Sequence, residues 1–417
     1  MMRKHCVKKL CSLTLLSGLL VACSSGGQTQ SVMTHQSEDK EPLNHQETAT
    51  PIRLQFAGDI FMHEGPMNVA RQSAGVYDFQ PFFEYMTPYL DGDWSIFNME
   101  VPVDAFGENA QLSSFPLFNN PYQILEAASD AGFNHAITAN NHAFDMGWDG
   151  LLGTIDAFER VGLSQTGIYS DEFAFNQPTL INVGGIQIGL LAYTDSVNGN
   201  EHMIPEGHRP YALRRFQSTS MEDVSRITED MAHLREMGAE LVIVALHWGI
   251  EYADAPTEMQ RQIAVALAEA GADVIMGKHA HTVQPIEWHA RADGGRSLIM
   301  YSLGNFLVDQ TRLTSSSVFS QINDGWENHD FIGRTQFGML VNLDVKRQHD
   351  GQIILSTATV IPTLSMRDFE GTTLRGVDDL RVMPLHDGGL PAFILDDDLR
   401  KWGQVAYEHI RQITNDF

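Results

Sequence analysis

From Arg53 onward the chain alternates short apolar runs with longer amphipathic stretches. The runs are Leu54–Ala57, Ser95–Phe97, Ala136–Ile137, Ile186–Tyr193, Leu241–Leu246, Val274–Met276 and Leu298–Tyr301, and each predicts a largely buried β-strand. Pro121–Gly132 and Thr257–Gly271 carry apolar residues at three- and four-residue spacing and end on a glycine, which predicts helices with a glycine C-cap. Thr257, placed between Pro256 and Glu258, has the chemistry of an N-cap. Strand–helix alternation of this kind predicts an α/β fold with mostly buried strands. Asn198–Ser220, rich in Gly, Pro and Arg, predicts a long loop over one face, and Asp396–Phe417 one amphipathic helix. Residues 51–364 read as the main domain and 365–417 as a C-terminal extension ending in that helix.

The N-terminal fifty residues have a different texture. Met1–Lys9 holds Arg3, Lys4, Lys8 and Lys9 without an acid, and Leu10–Val21 is almost wholly apolar. A basic start before a short apolar stretch reads as a secretory signal peptide over residues 1–22. No apolar run reaches the roughly 18–20 residues that span a bilayer. The stretch ends in Leu20-Val21-Ala22-Cys23, which resembles the lipobox of bacterial lipoproteins, where the Cys is lipidated and becomes the new N-terminus. A plain signal peptide that happens to contain a Cys is the other reading. The lipobox implies an exported bacterial lipoprotein anchored to a membrane through lipid on Cys23. With Ser24 rather than Asp in the next position, it resembles the outer-membrane sorting pattern at the periplasmic face, if the host is Gram-negative. Beyond Cys23, the polar segment to residue 50 lacks aromatics and reads as a flexible tether.

Composition removes several function classes. A hydrophobic content of 43% with 22 Phe supports a sizeable core and excludes global disorder. The 27 Lys+Arg against 53 Asp+Glu give a formal charge of −26, and loss of residues 1–22 removes four cations and no acid, leaving −30. Such a domain repels a polyphosphate backbone, so general nucleic-acid binding is excluded. Cys6, Cys11 and Cys23 are the three cysteines, so the domain after the signal has no disulfide, thiol nucleophile or thiolate metal site. There is no Gly-x-Ser-x-Gly elbow, Walker loop or dinucleotide fingerprint, so Ser nucleophiles, ATP and NAD find no support.

The residues just beyond each apolar run carry the chemistry. Leu54–Ala57 leads into Gly58-Asp59-Ile60-Phe61-Met62-His63, and Ser95–Phe97 into Asn98-Met99-Glu100-Val101-Pro102. Ala136–Ile137 leads to Asn140-Asn141-His142 and Asp145, Leu241–Leu246 to His247-Trp248-Gly249 and Glu251, and Val274–Met276 to Gly277-Lys278-His279-Ala280-His281. Ligands of α/β sheets gather beyond the carboxyl ends of the strands, so five strands aim Asp, Glu, Asn and His at what could be one rim. Carboxylates, an amide carbonyl and imidazoles without thiolate suit a divalent metal such as Mn, Fe or Zn. His279-x-His281 on an extended segment puts both rings on one side. Taken singly, a strand-end His is more often an ordinary hydrogen-bonded residue, Asn-Asn-His can be a turn and Gly58-Asp59 a turn with a helix cap. The joint pattern is the signal.

Those blocks, with Glu251-Tyr252, Gln284-Pro285 and Tyr301-Ser302-Leu303-Gly304-Asn305-Phe306, resemble in order and spacing the CapA-type poly-γ-glutamate capsule biosynthesis family, over about Arg53 to Gln310. That family resembles the calcineurin-like metallophosphatases, which implies a four-layer β-sandwich flanked by helices with one or two metal ions at strand ends. The resemblance puts metal ligands at Asp59, Glu100, Asn141, His247, His279 and His281, with His142 as the catalytic residue that contacts substrate, either donating to an equatorial oxygen or protonating the leaving group. It also shows departures. Phosphatases place a His where this chain has Phe61, and His63 replaces it only if the strand bulges. Glu100 stands where a bridging Asp is usual. Lys278 and Ala280 replace a Ser/Thr and a Pro; Lys278 either repels a metal or helps hold an anionic substrate. Asp145, Glu251 and Asp309 are candidates to orient the histidines or to cap local structure.

Three functions remain open. One is a metal-dependent hydrolase of a phosphoester or an anionic cell-surface polymer, where metals offset developing charge and His142 moves a proton. Another is a non-catalytic accessory subunit of a capsule or polyglutamate synthesis and export complex. The last is a tethered metal scavenger. Arg209, Arg214 and Arg215 are either a positive lip for an anionic polymer or ordinary surface charge.

Overall fold

The apolar runs are strands, and most continue past the run that marks them. The computed structural model describes residues 50–107, 111–310, 333–368, 379–387, 389–394 and 396–414. The signal segment, Cys23 and the tether up to residue 49 lie outside the described residues. In chain order the strands are β1 (Ile52–Ile60), the β2–β3 hairpin (Arg71–Ser73, Val76–Tyr77), β4 (Trp94–Met99), β5 (His135–Ile137), β6 (Ser164–Thr166), β7 (Thr179–Val183) and β8 (Ile186–Thr194). Then come β9 (Leu241–His247), β10 (Val274–Lys278), β11 (Ile286–Ala290), β12 (Arg296–Met300), β13 (Asn305–Leu307), β14 (Phe337–Arg347), β15 (Ile353–Asp368) and β16 (Asp379–Pro384). The helices are α1 (Glu64–Ala70), α2 (Gln80–Phe83), α3 (Gln123–Ala131), α4 (Gly147–Val161), α5 (Glu172–Asn176), α6 (Arg209–Ala212), α7 (Val224–Glu236), α8 (Glu258–Glu269) and α9 (Asp397–Ile413).

Two large sheets result. One has the order β16-β15-β14-β1-β4-β5-β6, with β13 also paired to β1; the other runs β11-β12-β10-β9-β8-β7. The pairs β1–β4, β4–β5, β8–β9 and β9–β10 are parallel, so their carboxyl ends share one edge of each sheet. Period-two alternation builds the layers. Leu54, Phe56 and Ile96 of one sheet meet Ile188, Ile243 and Met276 of the other in a common core. On the outer face of the first sheet, Phe97 and Ala136 pack with Ile124 and Leu125 of α3 and Phe158 of α4. On the outer face of the second, Val242 and Val244 pack with Met231 of α7 and Leu267 of α8. The order is helix, sheet, sheet, helix, the four-layer sandwich that the resemblance implies.

The local signals read from sequence also hold. α3 closes at Gly132, and Thr257 caps α8 in a box completed by Gln260. Asn198–Ser220 is less irregular than expected. It contains a 3₁₀ turn at Asn200–Met203 and α6, and it is tied back by bridges from Leu213 to Ile168 and from Arg215 to Thr194. The expected boundary at 364/365 falls inside β15, and β16 continues the same sheet. α9 packs Ala406 and Ile410 into the core between the sheets, so β15, β16 and α9 of the expected extension contribute to the domain rather than append to it. Among the described residues no helix is long and apolar enough to cross a membrane.

Two glycines let the rim close. A Cβ on Gly58 would lie 1.9 Å from the Gly304 carbonyl oxygen, and one on Gly277 would lie 2.0 Å from that of Tyr301. Only a residue without a side chain lets β1 and β10 approach the neighbouring loop this closely.

Candidate metal centre

Every donor read from the sequence stands at or just past the end of a parallel strand. Asp59 is the penultimate residue of β1, Glu100 directly follows β4, Asn141 follows β5 by a few residues, and His247 ends β9. His279 and His281 follow β10, but not as an extended segment. Both have positive φ, 95° and 55°, so the chain turns tightly after Lys278, and the backbone turn rather than strand alternation brings the two rings to the same site.

The side chains converge. Glu100, His247 and His279 form one group whose ligand atoms all lie within 4.8 Å of one another; Asp59, Glu100 and His281 form a second to the same limit. Glu100 belongs to both. His281 Nε2 and His247 Nε2 lie 3.5 and 3.7 Å from Glu100 Oε1, and His281 Nδ1 lies 3.4 Å from Asp59 Oδ2. These separations are long for hydrogen bonds. They suit donors that share an ion, because ligands about 2.0–2.2 Å from a metal stand about 3.0–3.6 Å apart. Asn141 joins the first group, its Oδ1 3.0 Å from His247 Nε2.

All these residues are buried, and four of their atoms, Asp59 Oδ2, Glu100 Oε1, His247 Nδ1 and His279 Nδ1, have no hydrogen-bond partner. Buried polar atoms left in this state are costly unless a cation meets them. The donor set therefore fits a divalent metal. Burial and the adjacent Asp59 push the Glu100 carboxyl well above its ordinary range. Burial alone would raise Asp59 too, but the neighbouring His281 and the charge of Lys278 outweigh it and hold Asp59 low. Burial likewise opposes charge on His281, yet Glu100 and Asp59 hold its pKa up at about 10. His247 is pushed well below the ordinary imidazole value by burial and by His279, and His279 is lowered chiefly by burial.

His142 stands beside this cluster. Its Nδ1 lies 2.7 Å from Asp145 Oδ2, which also accepts from the Phe118 N–H at 3.0 Å, while Asn200 donates to Asp145 Oδ1 at 3.2 Å. Asp145 thus orients His142 and leaves Nε2 as the nitrogen for a proton. Glu251 is exposed, 3.5 Å from Asn141 Nδ2. Asp309 forms a buried ion pair with Arg367, which belongs to neither donor group. His63 belongs to neither metal group. It precedes α1 at the N-cap position without a side-chain capping bond, its ring is 5.3 Å from Phe61 and 5.5 Å from Phe118, and burial lowers its pKa to about 4. The register of β1 shifts between Phe56 and Asp59 against β4 and between Asp59 and Ile60 against β13, yet His63 stands past the end of the strand and joins neither donor group. Lys278 is buried rather than at the mouth, so it does not meet a substrate there. The arginines are engaged elsewhere: Arg215 with Glu201, Arg214 with Asp230 and the Phe175 carbonyl, Arg209 with the Ile204 carbonyl.

Sequence reasoning passed over three contributors. Asn305 on β13 meets His281 Nδ1 at 3.0 Å, and Asn98 on β4 donates to Asp59 Oδ1 at 2.8 Å. Asp195 accepts from the Gly249 N–H at 3.1 Å, and its charge opposes the lowering of the His279 pKa. Asp195 directly follows the run ending at β8, so the same strand-end rule would have found it.

A four-layer sandwich with carboxylates and imidazoles gathered from strand ends of both sheets defines an α/β domain with a candidate divalent-metal centre at its rim. The model of the bacterial capsule synthesis protein family PGA_cap matches residues 53–310, more than half the chain, and the chain belongs to that family. It is 27% identical to the capsule biosynthesis protein CapA of Bacillus anthracis over 317 residues, 73% of this chain and 70% of that one. It is 30% identical to the PGA biosynthesis protein CapA of Bacillus subtilis over 271 residues, 64% of this chain and 66% of that one. A Mycobacterium tuberculosis protein named a probable polyglutamine synthesis accessory protein is 26% identical over 226 residues, 52% of this chain and 56% of that one.

The shared carboxylate and the charged imidazole each lead to an expected outcome. Glu100→Ala abolishes binding in both groups, whereas Asp59→Ala and His247→Ala each remove one, read as metal equivalents by elemental mass spectrometry; equal losses in all three would refute a shared ligand. A cation must also displace the His281 proton. Falling pH favours that competitor, so apparent metal affinity rises with pH between 6 and 8, by up to about tenfold per unit for one proton. Calorimetry in buffers of different ionisation enthalpy checks it, and an affinity flat in pH would count against it.

Proposed function

We propose that this chain is an envelope-anchored, metal-dependent hydrolase of capsule-polymer assembly, acting on a phosphoester or on an anionic cell-surface polymer. The observation that carries the reading is Glu100, shared by two donor groups and with its Oε1 unpaired. Two divalent ions, Mn, Fe or Zn, suit that arrangement, because the donors are carboxylate, amide and imidazole. When bound, such ions supply Lewis acidity that activates water and offsets charge developing on the electrophile. The chain's own residues do the rest. Asp59, Glu100, Asn141, His247, His279 and His281 hold the ions, and Asp145 fixes His142 so that Nε2 faces a leaving group to which it gives a proton. Local cations also let a domain at −30 receive an anionic polymer. Lipid on Cys23 would hold the domain at a membrane, on the periplasmic face of the outer membrane in a Gram-negative host, beside the synthesis and export proteins of the polymer.

A second reading, a non-catalytic accessory subunit of the synthesis and export complex, is favoured by one observation: Phe61, an apolar ring, fills the position where the phosphatases place a His. Activity decides between the two. His142→Ala and Asp145→Asn, assayed on bis(p-nitrophenyl) phosphate and on polyglutamate, lower turnover by about 10²–10⁴-fold with metal content unchanged. A wild-type protein that is metal-loaded yet inert on both, and on lipid-linked phosphoesters, supports the accessory role instead. Separately, Cys23→Ala shifts the protein from the membrane to the soluble fraction; an unchanged distribution would rule out the lipid anchor.

A further inference from the structure

Beneath the two donor groups, β4 and β10 contribute a pair that none of the ligand assignments uses. Asn98 lies opposite Asp59 in the parallel β1–β4 register. Its amide nitrogen donates to Asp59 Oδ1 at 2.8 Å and to Glu100 Oε2 at 3.2 Å. Its carbonyl oxygen accepts from Lys278 Nζ at 2.9 Å, and Lys278 also donates to the Ala139 carbonyl at 3.3 Å. All four side chains are buried. Lys278 comes from the second sheet, so this bond crosses between the sheets at the rim.

With Lys278 protonated and both carboxyls ionised, the valences leave one arrangement. An ammonium can only donate and a carboxylate can only accept, whereas an amide does both at opposite ends. With Lys278 on the carbonyl side, the two amide hydrogens must point to the two carboxylates. A flipped amide would set N–H against ammonium and C=O against two carboxylates. The oxygens left over are Asp59 Oδ2 and Glu100 Oε1, the two carboxylate atoms without partners, and both face the imidazoles of the donor groups.

We infer that Asn98 and Lys278 are positioning residues for the metal centre: Lys278 fixes the Asn98 amide, and the amide turns Asp59 and Glu100 so that one oxygen of each is presented to a divalent cation. This rests on the metal-centre reading and adds a specific role for two residues outside the ligand set. It also decides what Lys278 does. A buried cation acting only through its charge would oppose metal binding, so its removal would tighten binding. A cation acting through the Asn98 amide has the opposite effect, because its removal frees the amide to turn.

The test is metal affinity in a double-mutant cycle, with Mn²⁺ and Co²⁺ titrated into the metal-free wild type, Lys278→Met, Asn98→Leu and the double variant. Cooperative thermal unfolding in chelator confirms that each is folded. Lys278→Met and Asn98→Leu each weaken binding by about 10–100-fold, as loss of outer-shell partners of metal ligands does. The double variant is no weaker than Asn98→Leu alone, because Lys278 acts through Asn98. The Co²⁺ visible spectrum changes in the variants, reporting altered coordination rather than lower occupancy. Tighter binding in Lys278→Met, or additive losses in the double variant, would overturn the inference while leaving the metal centre intact. If Lys278→Met does not fold, unweakened binding by Asn98→Leu overturns it alone. A wild type that binds neither ion removes the metal-centre reading and this inference together.

Discussion

The rim of the sandwich is organised around two carboxylates that share a buried space. Asp59 and Glu100 come from adjacent parallel strands, and both are almost wholly out of water. Bringing two such groups together is unfavourable twice over, through desolvation and through like-charge repulsion. The surroundings answer with donors and positive charge. Asn98 bonds one oxygen of each carboxylate, His281 stands between them with its pKa held up by both, and Lys278 backs the amide. The remaining oxygens point toward His247 and His281, and a divalent cation is the partner that would satisfy them. A fold that only had to be stable would not be expected to keep this arrangement, since apolar residues of similar volume are often no worse in such a place.

That cluster depends on both sheets. The first supplies Asp59, Glu100 and Asn141 and the second His247, His279 and His281, so the core between the sheets sets the distances at the rim. Leu54, Phe56 and Ile96 facing Ile243 and Met276 fix that separation, and close interior packing transmits any change in it. Gly58 and Gly277 then permit backbone contacts that a methyl group would block. The C-terminal residues share in this support, because β15, β16 and α9 extend one sheet and cover part of the same core.

Much of this was legible in advance. Each apolar run from Leu54–Ala57 to Leu298–Tyr301 became a strand, and the donors sit where strand-end reasoning puts them. The features that went unread have identifiable causes. The His279–His281 pair was expected on an extended segment, but a turn with positive φ at both residues replaces it, and φ is not written in residue type for His. The arginines of Asn198–Ser220 carried no sign of their partners, because Glu201 lies within the segment and Asp230 beyond it, and only the fold of the segment decides which arginine meets which. The boundary at residue 364 followed a change in texture, whereas β15 pairs through it on both sides.

Residue type and spacing alone set the layers and the inventory: alternation with period two chose which side of each strand is apolar, and the order of the polar blocks after the runs chose the donors and the family. Neither needs coordinates, because both are properties of residue type and spacing along one strand. Packing in three dimensions was needed to show that Glu100 belongs to two donor groups, that Asp145 rather than Asp309 orients the site, and that Lys278 reaches Asn98 instead of the mouth. Those facts depend on distances between strands of different sheets, which are set by how the two sheets pack and by the turns at their ends.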